Sequence, residues 1–223
     1  VHLTGTNGKT STSRMVDTLV TAAGLRTGRF TSPHLESMTE RICIDGEPVS
    51  EERFVAAYLD VAPYLEIVDA EESHPLSFFE TIVGMAFAAF ADAPVDAAIV
   101  EVGLGGTWDA TNVADGRVAV IAPIAVDHEK YLGNRPEQIA VEKAGIIKPG
   151  ATVVCATQLP EVADVLAQRS LAAGATLLAE GVDFCVEHRV PAVGGQQLRR
   201  RGLRAGYDEV CRPLYGAQQA QIA

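Results

Sequence analysis

Seven consecutive residues, Gly5-Thr6-Asn7-Gly8-Lys9-Thr10-Ser11, carry the clearest chemical signal in the chain. They follow the apolar stretch Val1 to Thr4 and lead into helical periodicity. Glycines let a backbone approach phosphate closely, and successive amides at a helix N-terminus favour an anion. The spacing GxxGK[TS] is two residues shorter than the common GxxxxGK[ST] loop, yet its strand-loop-helix setting is the right one. Lys9 would reach the β- and γ-phosphates of a nucleotide, and the hydroxyl of Thr10 or Ser11 would meet phosphate oxygen or its magnesium. The competing reading is a glycine turn before a helix with an incidental lysine. Two further residues could join this loop. Glu101 ends one apolar strand, and His128 lies just past the end of the next. In open α/β sheets ligands gather at that edge. A carboxylate and an imidazole there could hold magnesium, although manganese suits histidine equally. Taken singly, Glu101 could instead be a buried hydrogen-bonded acid and His128 an ordinary loop residue.

The elements that must position these groups follow from periodicity. Helices are expected over Ser11–Ala23, with Met15, Val16, Leu19, Val20 and Ala23 as the apolar face, and over Glu51–Tyr64, Ser77–Phe90, Pro136–Ile147 and Glu161–Ala173. Strands are expected over Arg26–Thr31, Ala97–Val102, Val118–Val126, Thr152–Ala156 and Thr176–Ala179. Strands apolar on both faces belong inside a parallel sheet covered by helices. The expected fold is therefore α/β, a parallel sheet with helices on both faces. After Gly181 the turn signals Gly194-Gly195 and Gly202 give a β-hairpin or meander containing Arg199 to Arg201. The expected division is 1–180 as a nucleotide- and metal-binding domain and 181–223 as a hairpin extension leading to a further domain.

Composition narrows the classes. The chain has 223 residues, 48% hydrophobic and 21% charged, with net charge −11. That balance is ordinary for a globular protein and argues against a nucleic-acid partner met through a broad basic face. No apolar run is long enough to span a membrane, and no secretion leader is visible. Cys43, Cys155, Cys185 and Cys211 form no CxxC pair, so free thiols in a reducing cytoplasm are expected. The chain opens inside a strand and stops within an incipient helix, which reads as a piece of a longer protein.

Several stretches, in order, resemble the folylpolyglutamate synthase/dihydrofolate synthase family of the Mur ligase superfamily. They are Gly5-Thr-Asn-Gly-Lys-Thr-Ser-Thr12, Phe30-Thr-Ser-Pro-His-Leu35, Glu40-Arg-Ile42, Phe79-Glu-Thr81, Glu101-Val-Gly-Leu-Gly-Gly106, Asp109-Ala-Thr-Asn112, Asp127-His128 and Glu142-Lys-Ala-Gly-Ile146. The phosphate loop is shared with all Mur ligases, whereas Thr-Ser-Pro-His-Leu and Asp-Ala-Thr-Asn favour the folate branch over a peptidoglycan ligase. The resemblance implies a Mur-ligase central-domain-like fold and ATP-dependent addition of L-glutamate to a folate or dihydropteroate carboxylate through an acyl phosphate. It implies ATP binding by Gly5 to Ser11, and metal ligation by Ser32, Glu101, His128 and a carbamylated Lys143. It implies catalytic roles for Lys9, Glu101, His128 and Lys143, and pteroate contacts from Ser77, Phe78, Phe79, Glu80, Trp108, Asp109 and Ala110. Read without the family, Ser32 is a turn residue before proline, Lys143 a surface helix lysine, and the two phenylalanines core. The implied partners are ATP, folate or pteroate and L-glutamate, with neither nucleic acid nor membrane, in a protein monomeric at full length. Departures from the family are Thr107 in place of arginine, Gln218-Gln219 in place of His-Gln, and Ile222 in place of asparagine. They keep open a non-catalytic nucleotide-binding fragment.

Overall fold

The computed structural model describes residues 1–222 apart from the side chains of Gln218 and Ile222, so the departures read at those two positions lie outside the described residues. The chain runs β1 (His2–Thr4), α1 (Lys9–Ala22), β2 (Thr27–Phe30), β3 (Ile42–Ile44), β4 (Glu47–Pro48), α2 (Glu51–Glu71) and α3 (Phe78–Asp92). It continues through β5 (Ala97–Glu101), β6 (Val118–Ile121), α4 (Glu129–Leu132), α5 (Pro136–Lys143), β7 (Thr152–Cys155), α6 (Pro160–Ala172) and β8 (Thr176–Ala179). It closes with β9 (Cys185–Ala192), β10 (Gly195–Arg201), β11 (Gly206–Arg212) and α7 (Ala217–Ile222).

Eight strands form one sheet in the order β4-β3-β2-β5-β1-β6-β7-β8. From β2 to β8 every pairing is parallel, as the apolar strands require. The edge differs from expectation. β3 returns antiparallel against β2 and β4 antiparallel against β3, and their two or three residues are too short to leave a periodic signal. Two apolar clusters cover the sheet. One joins Val102, Ile121 and Val153 to α5 and α6, and the other joins Phe30, Ile42 and Val100 to α2 and α3. The extension is a three-stranded antiparallel sheet, β11-β10-β9.

Helix α1 reverses one reading. Its apolar residues were expected inward, yet Leu19 is 70% exposed while Ser13 and Asp17 are buried. The inward stripe is polar and each member has a partner. Thr10 Oγ1 donates to Glu101, Asp17 Oδ2 meets Arg29 Nε at 2.8 Å, and the hydroxyls of Thr21 and Thr27 lie 3.0 Å apart. Positions 10, 13, 17 and 21 recur at helical spacing as faithfully as the apolar set. The sheet beneath supplies charge, so the polar face is the one that docks.

Candidate active site

β1 lies between β5 and β6, so the loop after it opens where the chain's crossovers diverge, beside the carboxyl ends of both neighbours. Gly5 leaves β1 at φ 144°, and a Cβ there would stand 2.7 Å from that of Ala122. Glycine is therefore required on both conformational and steric grounds. Gly8 caps α1 in the left-handed region, and the first i→i−4 bond of the helix runs from Thr12 N to Gly8 O. The amides of Lys9, Thr10 and Ser11 thus precede the helical ladder and are free to meet an anion. Thr6 and Asn7 behave otherwise. Their amides both aim at Pro123 O, at 2.9 and 3.5 Å, and the Thr6 hydroxyl exchanges bonds with the amide and carbonyl of Ala125. These bonds tether the loop to the segment that leads to His128.

Lys9 Nζ and Lys143 Nζ both donate to the carbonyl of Gly5, at 2.9 and 3.2 Å. Lys143, expected on a surface helix if the family were set aside, is 5% exposed. Burial, and next the charge of Lys9, lower its pKa to about 8. Glu101 is 1% exposed. Burial pushes its carboxyl up to about 7, against the opposing hydrogen bond from Thr10 and the charge of Lys9. The Thr10 hydroxyl reaches both carboxylate oxygens, at 2.9 and 3.1 Å, and the Ser32 amide also donates to this carboxylate. The Ser32 backbone thus stands beside Glu101. His128 stands at the same sheet edge but keeps to its own loop. It begins α4 at φ 51°, and its Nε2 lies 3.5 Å from Asp127 Oδ2 with the ring half exposed. Asp127, which the sequence reading left without a role, also attracts the Lys143 ammonium. Its adjacency to His128 was the available signal.

The donor set suits a hard divalent cation. Glu101 is a desolvated carboxylate whose bonded donors are one hydroxyl and one amide, so oxygen lone pairs remain for an ion. Among the described residues no group of three or more His, Cys, Asp or Glu is assembled, so Ser32 or Thr10 oxygen and water would have to complete a shell.

The residues assigned to pteroate divide into two kinds. Ser77 and Glu80 form a capping box on α3, with Ser77 N donating to Glu80 Oε2 at 2.7 Å and Glu80 N to Ser77 Oγ at 3.2 Å. Asp109 caps the 3-10 turn Ala110–Val113, accepting from the amides of Thr111 and Leu104 at 2.9 Å each. The structure gives these three first to the backbone. Their capping bonds occupy oxygen lone pairs that a ligand could otherwise meet. The aromatic residues keep open surface. Phe78 is half exposed beneath the Arg41 guanidinium, 5.4 Å from its ring centre, and lines an apolar cleft of about 240 Å³ with Met38 and Tyr58. Phe79 tilts against Phe30 at 5.9 Å and leaves no room for a Cβ at Gly103, which would meet its ring at 2.4 Å. Trp108 is half exposed, and Ala110 packs against the α2–α3 cluster. Thr107 bonds to Glu142 O through both its amide and hydroxyl, at 3.1 and 3.0 Å, so this departure from the family clamps the loop to α5 next to Lys143.

With this geometry established, likeness to known proteins is specific. Residues 3–172 match the model of the Mur ligase middle domain. The dihydrofolate synthase/folylpolyglutamate synthase of Mycobacterium tuberculosis is 49% identical over 236 residues, spanning 100% of this chain and 48% of that protein. Crystal structures of the M. tuberculosis folylpolyglutamate synthase complexed with ADP and AMPPCP align at TM-score 0.95 and 50% identity, covering 100% of this chain and 52% of that one. An FPGS–AMPPCP–folate complex aligns at TM-score 0.95 and 35% identity, covering 99% and 54%. The chain spans about half the length of the curated relatives it matches. It belongs to the Mur ligase family, in the folylpolyglutamate synthase/dihydrofolate synthase branch.

Proposed function

We propose that this chain is the nucleotide- and metal-binding part, 1–180 with the extension 181–223, of an ATP-dependent ligase that adds L-glutamate to a folate or dihydropteroate carboxylate. The observation that carries this reading is the convergence of Lys9 and Lys143 on Gly5 O, beside the buried Glu101. Two cations held at one carbonyl by a glycine loop make a receptor for a polyanion, and relatives at 49% and 38% identity are named for this reaction. The substrate carboxylate would attack the γ-phosphorus of ATP, with ADP leaving. The glutamate amine would then attack the acyl carbon, expelling phosphate and losing a proton.

Within that scheme the loop amides and Lys9 bind the phosphates and hold them in line. Glu101, with Ser32 or Thr10 and His128, would hold magnesium or manganese, which supplies neutralisation of the developing phosphate charge. Lys143, depressed toward neutrality by burial, is suited to take up carbon dioxide as a carbamate, its nitrogen losing one proton as the N–C bond forms. Phe78 and Trp108 offer flat apolar surface to a pteridine. No helix of the described residues is long and apolar enough to cross a membrane. The full-length protein is proposed to act in the cytoplasm as a monomer on small molecules. The test incubates the full-length protein with ATP, magnesium, labelled glutamate and either dihydropteroate or tetrahydrofolate. Glutamylated product with stoichiometric ADP is expected. ATP binding with no product from either acceptor would overturn the reading in favour of a non-catalytic nucleotide-binding protein.

A further inference from the structure

We propose that His2 is a positioning residue that, acting through Thr111, aims the Asp109 carboxylate and fixes the loop from Leu104 to Asp109. As a statement about ligand recognition it rests on the function proposed above, because that loop carries Trp108 and Asp109. His2 is fully buried on the central strand, three residues before the phosphate loop. Its Nε2 lies 2.9 Å from Thr111 Oγ1. That hydroxyl also bonds to Asp109 Oδ1, and an ionised carboxylate can only accept. The single hydroxyl proton of Thr111 therefore goes to Asp109, so Thr111 must accept from His2. The ring proton is thereby placed on Nε2. Nδ1 is a buried atom with no hydrogen-bond partner, and as a bare lone pair it costs less than an unpartnered N–H⁺ would.

Asp109 is correspondingly constrained. Oδ1 accepts from the Thr111 amide and hydroxyl, and Oδ2 from the Leu104 amide. A carboxylate has about four acceptor positions, so one remains, on Oδ2. It belongs to a side chain 6% exposed. A single fixed acceptor suits one donor N–H of a ligand ring and would discriminate against a ring that lacks it. Thr4 adds a second tether from the same strand, donating to Gly105 O at 2.8 Å. β1 thus holds this loop directly at Gly105 and through Thr111 at Asp109, while its end carries the nucleotide loop.

The test uses Trp108, the single tryptophan, as a reporter beside Asp109. Wild type, His2→Leu, Thr111→Val and His2→Gln are compared by AMPPCP titration, folate titration and acrylamide quenching of Trp108 emission. Glutamine presents an amide N–H close to the place of Nε2–H, so it preserves the donor while removing the ring. Losing the relay is expected to weaken folate binding by about tenfold or more and to change Trp108 quenching, with AMPPCP affinity held within about threefold. His2→Gln is expected to restore folate affinity to within about threefold of wild type. Equal losses for both ligands, or no restoration by glutamine, would overturn the proposal as mere core stability. Should His2→Leu fail to fold, Thr111→Val carries the same comparison. A wild-type chain that binds AMPPCP but not folate would sink the substrate reading alone. The positioning claim is then decided by quenching and by ¹⁵N NMR of the ring: an Nε2–H tautomer with altered quenching in Thr111→Val supports it, and an Nδ1–H tautomer overturns it.

Discussion

Lys9 and Lys143 donate to the same backbone oxygen, that of Gly5, although 134 positions separate them in sequence. Like charges this close raise each other's cost, and burial of Lys143 raises it further. The arrangement is held by the strand order that puts β1 between β5 and β6, with Asp127, Asp109 and Glu142 the anions acting on Lys143 and Glu101 the one near Lys9. An incoming polyphosphate relieves the repulsion, which makes anion binding the natural use of the pair.

Lys9→Ala removes the cation carried by the phosphate loop itself. Loss of a charge-assisted contact costs on the order of 1.5–3 kcal/mol, roughly ten- to a hundredfold in affinity. Isothermal titration of AMPPCP with magnesium against both proteins reads it directly. Equal affinities would remove the loop from nucleotide binding.

The Asp17–Arg29 pair is buried on both sides and crosses from α1 to β2, with Arg29 Nη2 also reaching Cys43 Sγ at 3.0 Å. Asp17→Ala leaves a buried guanidinium without its carboxylate. The expected destabilisation is about 3–5 kcal/mol. Because Arg29 also stabilises the charged form of Glu101, the variant tests whether α1 is anchored by charge and not by its apolar face. Urea unfolding of Asp17→Ala beside Leu19→Ala discriminates: Leu19, being exposed, should cost under about 0.5 kcal/mol. A larger loss at Leu19 would restore the apolar-face reading.

These two helix faces show where the sequence was legible. The parallel strands Ala97–Glu101 and Val118–Ile121 announce themselves as unbroken apolar runs, and the loop between β1 and α1 carries its chemistry in residue type alone. The α1 face did not, because two stripes of equal period compete and only the buried Arg29 on the strand below decides between them. The same ambiguity limits the site. A serine or carboxylate that caps a helix, as Ser77, Glu80 and Asp109 do, has the composition of one that meets a ligand. Asp127 was overlooked for the opposite reason, since its influence on Lys143 arises from tertiary proximity.

His2 makes stability depend on acid. Burial, then the charge of Lys148, lowers its pKa to about 4, below the ordinary histidine value of 6.5. Below pH 6.5 the unfolded chain takes up a proton that the folded ring refuses, so the unfolded state binds more protons and stability falls as pH falls. The loss develops between pH 6.5 and 4 and then levels off. At pH 4.5 it amounts to roughly 2.5 kcal/mol. Carboxylates also titrate in that range, so the measurement is the difference between wild type and His2→Gln in urea unfolding at pH 7 and 4.5. The wild type should lose more stability on acidification by about this amount. Identical pH dependence would mean that His2 is not held neutral by its surroundings.

Gly145→Ala tests whether the loop that follows β5 is clamped to α5 and through it to Lys143. A Cβ at Gly145 would stand 2.2 Å from Thr107 Oγ1 and 2.5 Å from Thr107 Cα. A side-chain atom alone could rotate aside, but a Cα cannot move without the loop. Thr107 is itself held by two bonds to Glu142 O, and Asn112 Nδ2 bonds to Thr107 O at 2.9 Å, so the displacement would pass to both neighbours. Overpacking of this kind costs about 1–3 kcal/mol, and here the strain sits two residues from Lys143. The expected outcome is reduced stability together with altered Trp108 emission and weaker AMPPCP binding, because Lys143 leaves its place on Gly5 O. Thr107→Gly in the same chain removes the obstructing hydroxyl, and it should recover part of the loss, as coupled neighbours do. A Gly145→Ala protein with unchanged melting temperature and AMPPCP affinity would show that the loop and α5 separate freely, and that Lys143 is positioned by its own helix alone.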